Sequence, residues 1–177
     1  MRTMKRDKPL DFPHAYETLL LTKHFPQLVR HAMAERRIDV RFYVASVSPH
    51  AVFVTSECPK GDDPFVAVYC EKRVGHVEDV PGTIYLAHEL GHHESWLRGD
   101  TSEELEELMT SRPRSVYEHP ETLDRAIREE ILAEEQRAWR YGRDILATVL
   151  PTFPALDAYD RFTTENVEGY RAGLLLR

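Results

Sequence analysis

Cysteine is scarce here: Cys58 and Cys70 are the only two in 177 residues, and they do not form a Cys-x-x-Cys pair. That argues against a zinc-thiolate cluster or a disulfide framework, and two reduced thiols are expected. Long apolar runs are missing as well. None approaches the roughly 18 residues that a membrane-spanning helix needs. The opening MRTMKRDKPLDFPHAY carries charges with no apolar signal core after them, so a cytoplasmic location and no membrane partner are expected. Basic excess is also lacking, since 23 Lys and Arg face 30 Asp and Glu for a net charge of −7. Phosphate backbones reward the opposite balance, so direct nucleic-acid binding is not expected. Repeats and low-complexity tracts are absent too.

What remains is ordinary globular composition, 42% apolar and 30% charged. The length suits one domain over residues 1–177, with 1–12 as its flexible end. Between His14 and Arg37, Tyr16, Leu19, Leu20, Phe25, Leu28, Val29 and Met33 recur at helical intervals. Pro26 implies a kink, or two short helices divided at HFP. Three runs rich in Val, Phe and Tyr follow, DVRFYVASV (39–47), AVFVTSE (51–57) and PFVAVYCEK (64–72). Short turns between them predict hairpin connections in a small, mostly antiparallel three-stranded sheet. In the first strand neither alternating face is cleanly polar, so both faces should be covered.

After VEDVPGT, Thr83 is a plausible cap for a helix from Ile84 to about Leu97 that ends at Gly99. Thr101 or Ser102 starts another helix, and Pro113 and Pro120 bracket an irregular connector. A long helix is expected from about Glu121 to Thr148, where apolar residues from Leu123 to Val149 sustain a stripe. Its charge runs read as a wet face. The tail adds one more helix and ends in GLLLR, which is apolar enough to dock on the core or on a partner. The fold class is therefore α+β, with the sheet between an N-terminal helix and a run of helices.

The chemistry is concentrated in IYLAHELGHHESW, residues 84–96. On a helix, His88 and His92 project from one face about 5–6 Å apart at Cβ, close enough to share one ion. Zinc suits two imidazoles and a third protein ligand, leaving a fourth position for water. Glu89 lies about 100° around the helix, so it can flank the ion as general base without ligating it. The pentapeptide alone would arise by chance in roughly one such sequence in twenty. Its context is more telling: Ile84, Leu86, Ala87 and Leu90 give the helix a buried side, and Gly91 lets another backbone approach. Buried imidazoles and carboxylates need partners, which an ion supplies. His93 points away from the pair and is expected beside the site or at the surface. The third ligand is one of Glu129, Glu130, Glu134 and Glu135.

HELGHH followed in a later helix by EEQRAW resembles the gluzincin branch of the zincin metallopeptidases, and most nearly the ImmA/IrrE-like cytoplasmic peptidases. In that group the third ligand often opens a Glu-x-x-Ala-Asp or Glu-x-x-Ala-Asn run. EQRAW fits its first four positions, which selects Glu135 and leaves Glu134 as the fallback. Trp139 stands where an acid or amide would hydrogen-bond a ligating histidine, a role left to Glu134 or Asp144. The resemblance implies one Zn²⁺ per chain held by His88, His92 and Glu135. It also implies Glu89 as base and cleavage of an intracellular protein or peptide, such as a repressor, laid along an edge strand (AVFVTSE or PFVAVYCEK). His119 or Tyr117, with His93 next, would donate to the oxyanion. The rival reading is a catalytically silent metal-binding module that regulates a protein partner. The sequence sets no oligomeric state.

Overall fold

The computed structural model describes residues 24–44, 53–57, 65–70, 79–111 and 118–176. Among them are five α-helices and one three-stranded sheet, an α+β arrangement. Helix α1 (Phe25–Ala34) buries Phe25, Leu28, Val29 and Ala32, the apolar stripe seen in the sequence. Pro26 lies in its first turn. There its missing N–H has no helical partner to lose, so the proline starts the helix rather than kinking it. The part of the expected helix before His24, and residues 1–12, lie outside the described residues.

Strands β1 (Asp39–Val44), β2 (Phe53–Glu57) and β3 (Phe65–Cys70) are ordered β1-β3-β2. The sheet is mixed. β1 runs parallel to β3, with Asp39 opposite Phe65, whereas β2 is antiparallel to β3, with Glu57 opposite Phe65. This corrects the expected mostly antiparallel sheet: β1 and β2 form no hairpin and lie on opposite edges. It also moves PFVAVYCEK from an edge to the centre. Phe65, Val66, Ala67 and Val68 are all buried, and a continuous apolar run is most stable where both faces and both edges are covered. Val40, Phe42, Val66 and Val68 face the main core, and Tyr43, Phe65 and Ala67 form a small cluster of their own. Both faces of β1 are thus occupied, as its sequence implied.

Helix α2 (Asp79–Arg98) begins five residues before Ile84. Pro81 and Gly82 fall in its first turn, where a proline is tolerated, and Thr83 is buried within the helix instead of capping it. At its other end Gly99 adopts φ +69°, a left-handed conformation that a glycine takes without penalty. Helix α3 (Glu103–Ser111) is capped by Ser102, whose Oγ accepts the Leu105 N–H at 3.2 Å. A 3₁₀ turn at Pro120–Thr122 precedes α4 (Arg125–Val149), so the long helix starts later than expected because Leu123 is extended. Helix α5 (Leu156–Gly173) follows. Beyond it Leu174 and Leu176 are buried with Leu105, Ile131 and Leu132, so the apolar tail docks. Among the described residues no helix is long and apolar enough to cross a membrane.

What positions the site is the contact between α2 and α4. A Cβ on Gly91 would collide with the Ala138 carbonyl, and one on Gly142 would come within 2.5 Å of the Ala87 oxygen. Each helix presents a glycine to the backbone of the other, so the two axes approach more closely than side chains allow.

Candidate metal centre

His88 and His92 lie one turn apart on α2, with ring centroids 4.7 Å apart. Because α4 passes so close, a residue one turn before Ala138 lies directly below the imidazoles. That residue is Glu135. Its Oε2 is 3.3 Å from His88 Nε2 and 3.7 Å from His92 Nε2, and the three ligand atoms lie within 4.8 Å of one another. A tetrahedral ion with bonds of about 2.0–2.1 Å sets its ligand atoms about 3.4 Å apart, so the spacing fits a metal ion. All three residues are buried. Among the described residues no fourth His, Cys, Asp or Glu joins the group.

Burial disfavours a charge on either side of this cluster, yet contact overrides it. Burial would lower the His92 pKa, but hydrogen bonds to Glu134 and Glu135 raise it well above the ordinary histidine value. Burial would raise the Glu135 pKa, but His88 and His92 hold it far below the usual carboxylate range. The chain therefore keeps an ionised carboxylate at the position an ion requires.

Glu134 is placed differently from the fallback ligand that the sequence allowed. Its Oε1 is 3.1 Å from His92 Nδ1, the nitrogen away from Glu135. Its Oε2 accepts from Ser95 Oγ at 2.8 Å, Thr101 Oγ1 at 3.2 Å and Arg137 Nη2 at 2.9 Å. Against the burial penalty, His92, Ser95 and Arg137 keep it ionised. It is the acid that backs His92, one of the two candidates that the sequence offered for that role. Asp144, the other, is exposed. Trp139 stacks on the His88 ring at 4.2 Å and 25°.

Glu89 is only partly buried, and its Oε2 accepts the Ser56 N–H of strand β2 at 2.6 Å. Ser56 Oγ donates in turn to the Glu89 carbonyl at 3.1 Å. His93 is buried and hydrogen-bonded to the Phe65 backbone. Burial, followed by the charge of His92, pushes its pKa down to about 4. It ties α2 to the central strand and is no ligand. His119 is 64% exposed and pairs with Glu121 of its own turn at 3.3 Å, so the structure does not bring it to the centre. Tyr117 lies outside the described residues. Glu129 pairs with Arg125, and Glu130 accepts the Ser102 N–H, which removes both from the ligand choice.

Tyr170 on α5 was not visible in advance. Its hydroxyl hydrogen-bonds Glu135 and feels the charge of Glu89, and burial, followed by these carboxylates, raises its pKa. No sequence signal links it to a motif lying three elements earlier. Ser95, on the same helix as the motif and one turn beyond His92, was the more findable omission. Comparisons with protein-family models, with curated proteins and with solved structures each return no match.

Proposed function

We propose that the protein is a zinc-dependent endopeptidase of gluzincin type, related to the ImmA/IrrE-like enzymes, that cuts a peptide bond in a cytoplasmic protein. The observation that carries this reading is the open group of two imidazoles and one carboxylate with a second carboxylate, Glu89, on the adjoining face of the same helix. Two nitrogens and one oxygen in a tetrahedral spacing suit zinc. Zinc bound there supplies Lewis acidity, acidifying a water and polarising the scissile carbonyl.

The chain's own groups do the rest. Ser56 holds Glu89 Oε2, which leaves Oε1 to take the proton from the attacking water and deliver it to the departing nitrogen. Tyr170 steadies Glu135 by a hydrogen bond from α5. In an antiparallel strand the outward main-chain groups alternate, so the edge of β2 away from β3, which carries the Ser56 N–H, also carries the groups of Val54. A substrate strand added at this edge of β2 would run past Glu89. A repressor or a comparable regulatory protein is the substrate class in view.

The silent-module reading needs a fourth protein ligand to close the centre. His93 is held by the Phe65 backbone and His119 is exposed beside Glu121. The decisive experiment is Glu89→Gln. Elemental analysis should find one zinc per chain in wild type and variant alike, while hydrolysis of an unstructured protein substrate falls about 10²–10⁴-fold in the variant. Undiminished cleavage by Glu89→Gln would overturn the mechanism.

A further inference from the structure

The two histidines of the centre are held by different physics. His92 has its outer nitrogen on a carboxylate that three further donors lock in place. His88 has no such partner: its Nδ1 is buried without a hydrogen bond, and its ring rests flat on Trp139. Trp139 is itself closely packed. It is 1% exposed, meets Tyr159 edge-on at 5.3 Å, and its backbone carbonyl accepts the Tyr159 hydroxyl at 2.6 Å.

We infer that Trp139 is the positioning residue for His88, and that the centre is built unequally, with His92 as the anchoring ligand and His88 as the weaker arm. An anionic acceptor does two things for a ligating imidazole: it fixes the tautomer and it raises the basicity of the coordinating nitrogen. A stacked indole fixes only the plane of the ring. When His88 coordinates through Nε2 its proton must lie on Nδ1, a buried donor with no acceptor, so that bond forms at a disadvantage that His92 escapes. The inference rests on the zinc reading of the site but concerns binding, not turnover. It predicts a metal that exchanges from the His88 side.

Zinc affinity of the full chain, measured by competition with a chromophoric chelator, tests this. His92→Ala should lose at least about tenfold more affinity than His88→Ala, because removal of an acid-backed ligand is the greater loss. Equal losses, or the reverse order, overturn the inference. Trp139→Leu removes the aromatic face and should weaken zinc about tenfold, while Trp139→Phe keeps the face and should stay within about threefold of wild type. Undiminished affinity in a folded Trp139→Leu chain overturns the positioning role. Should the leucine variant fail to fold, Trp96→Phe leaves Trp139 as the lone indole of the two. Its emission should then change with zinc and saturate at one ion per chain, and an unchanged emission counts against stacking on a ligand. A wild-type chain that takes up no zinc overturns both this and the peptidase reading. Unequal losses in a chain that cleaves nothing sustain the inference and sink the peptidase.

Discussion

Helices α2 and α4 both supply the centre, yet they live in opposite surroundings. From Gly82 to Ser95, α2 is buried at all but Tyr85 and Glu89, including His88, His92, His93 and Glu94. Helix α4 keeps a wet face of Glu129, Gln136, Arg140, Arg143 and Asp144 opposite a buried stripe from Ile131 to Leu146. A half-wet helix advertises itself by periodicity, because its apolar residues must recur every three or four positions. A helix packed on all sides has no such constraint. Its buried polar groups must instead find partners, and on α2 Glu135, Glu134, the Phe65 backbone and Arg36 serve His88, His92, His93 and Glu94, while His88 Nδ1 has none.

If that contrast is right, substitutions on α2 at its contact with α4 should be severe and those on the wet face of α4 trivial. The largest effect is expected from Gly91→Ala. The added Cβ meets the Ala138 carbonyl, which is backbone and cannot rotate aside, so the helices must separate. Destabilisation of about 3 kcal/mol or more in urea unfolding, together with weakened zinc binding, is the expected result. A stable Gly91→Ala chain with normal metal affinity would break the comparison. An intermediate effect is expected where α4 meets α5. Tyr159→Phe removes the 2.6 Å bond to the Trp139 carbonyl while keeping the ring, and should cost about 1–2 kcal/mol by the same measurement. The smallest belongs to the wet face. Arg125→Ala breaks an exposed i,i+4 pair with Glu129 at 2.8 Å and should change stability by less than about 0.5 kcal/mol. A larger loss there would mean that the face is not merely solvated.

The same contrast explains which boundaries were legible. The stripe of α4 from Ile127 onward, the α3 cap, which falls on Ser102 of the two candidates, and the glycine stop of α2 are local signals, and each appears in the structure. The start of α2 was misplaced because Pro81 and Gly82 look like breakers in isolation, although a first helical turn absorbs both. Strand order was hidden for a related reason. Val, Phe and Tyr mark all three strands alike, and only the full burial of Phe65–Val68 makes β3 the centre.

From the sequence alone came the imidazole pair and its neighbouring carboxylate, since four residues of helix put His88 and His92 on one face whatever surrounds them. The motif resemblance favoured Glu135 in advance, but tertiary structure brought it to their Nε2 atoms and chose Glu134 over Asp144 to back His92. It decided too that Trp139 lies flat on His88, and that Ser56 and Tyr170 reach Glu89 and Glu135. Those outcomes depend on how closely and at what rotation α2 and α4 cross, a matter of glycine against backbone that no local pattern encodes.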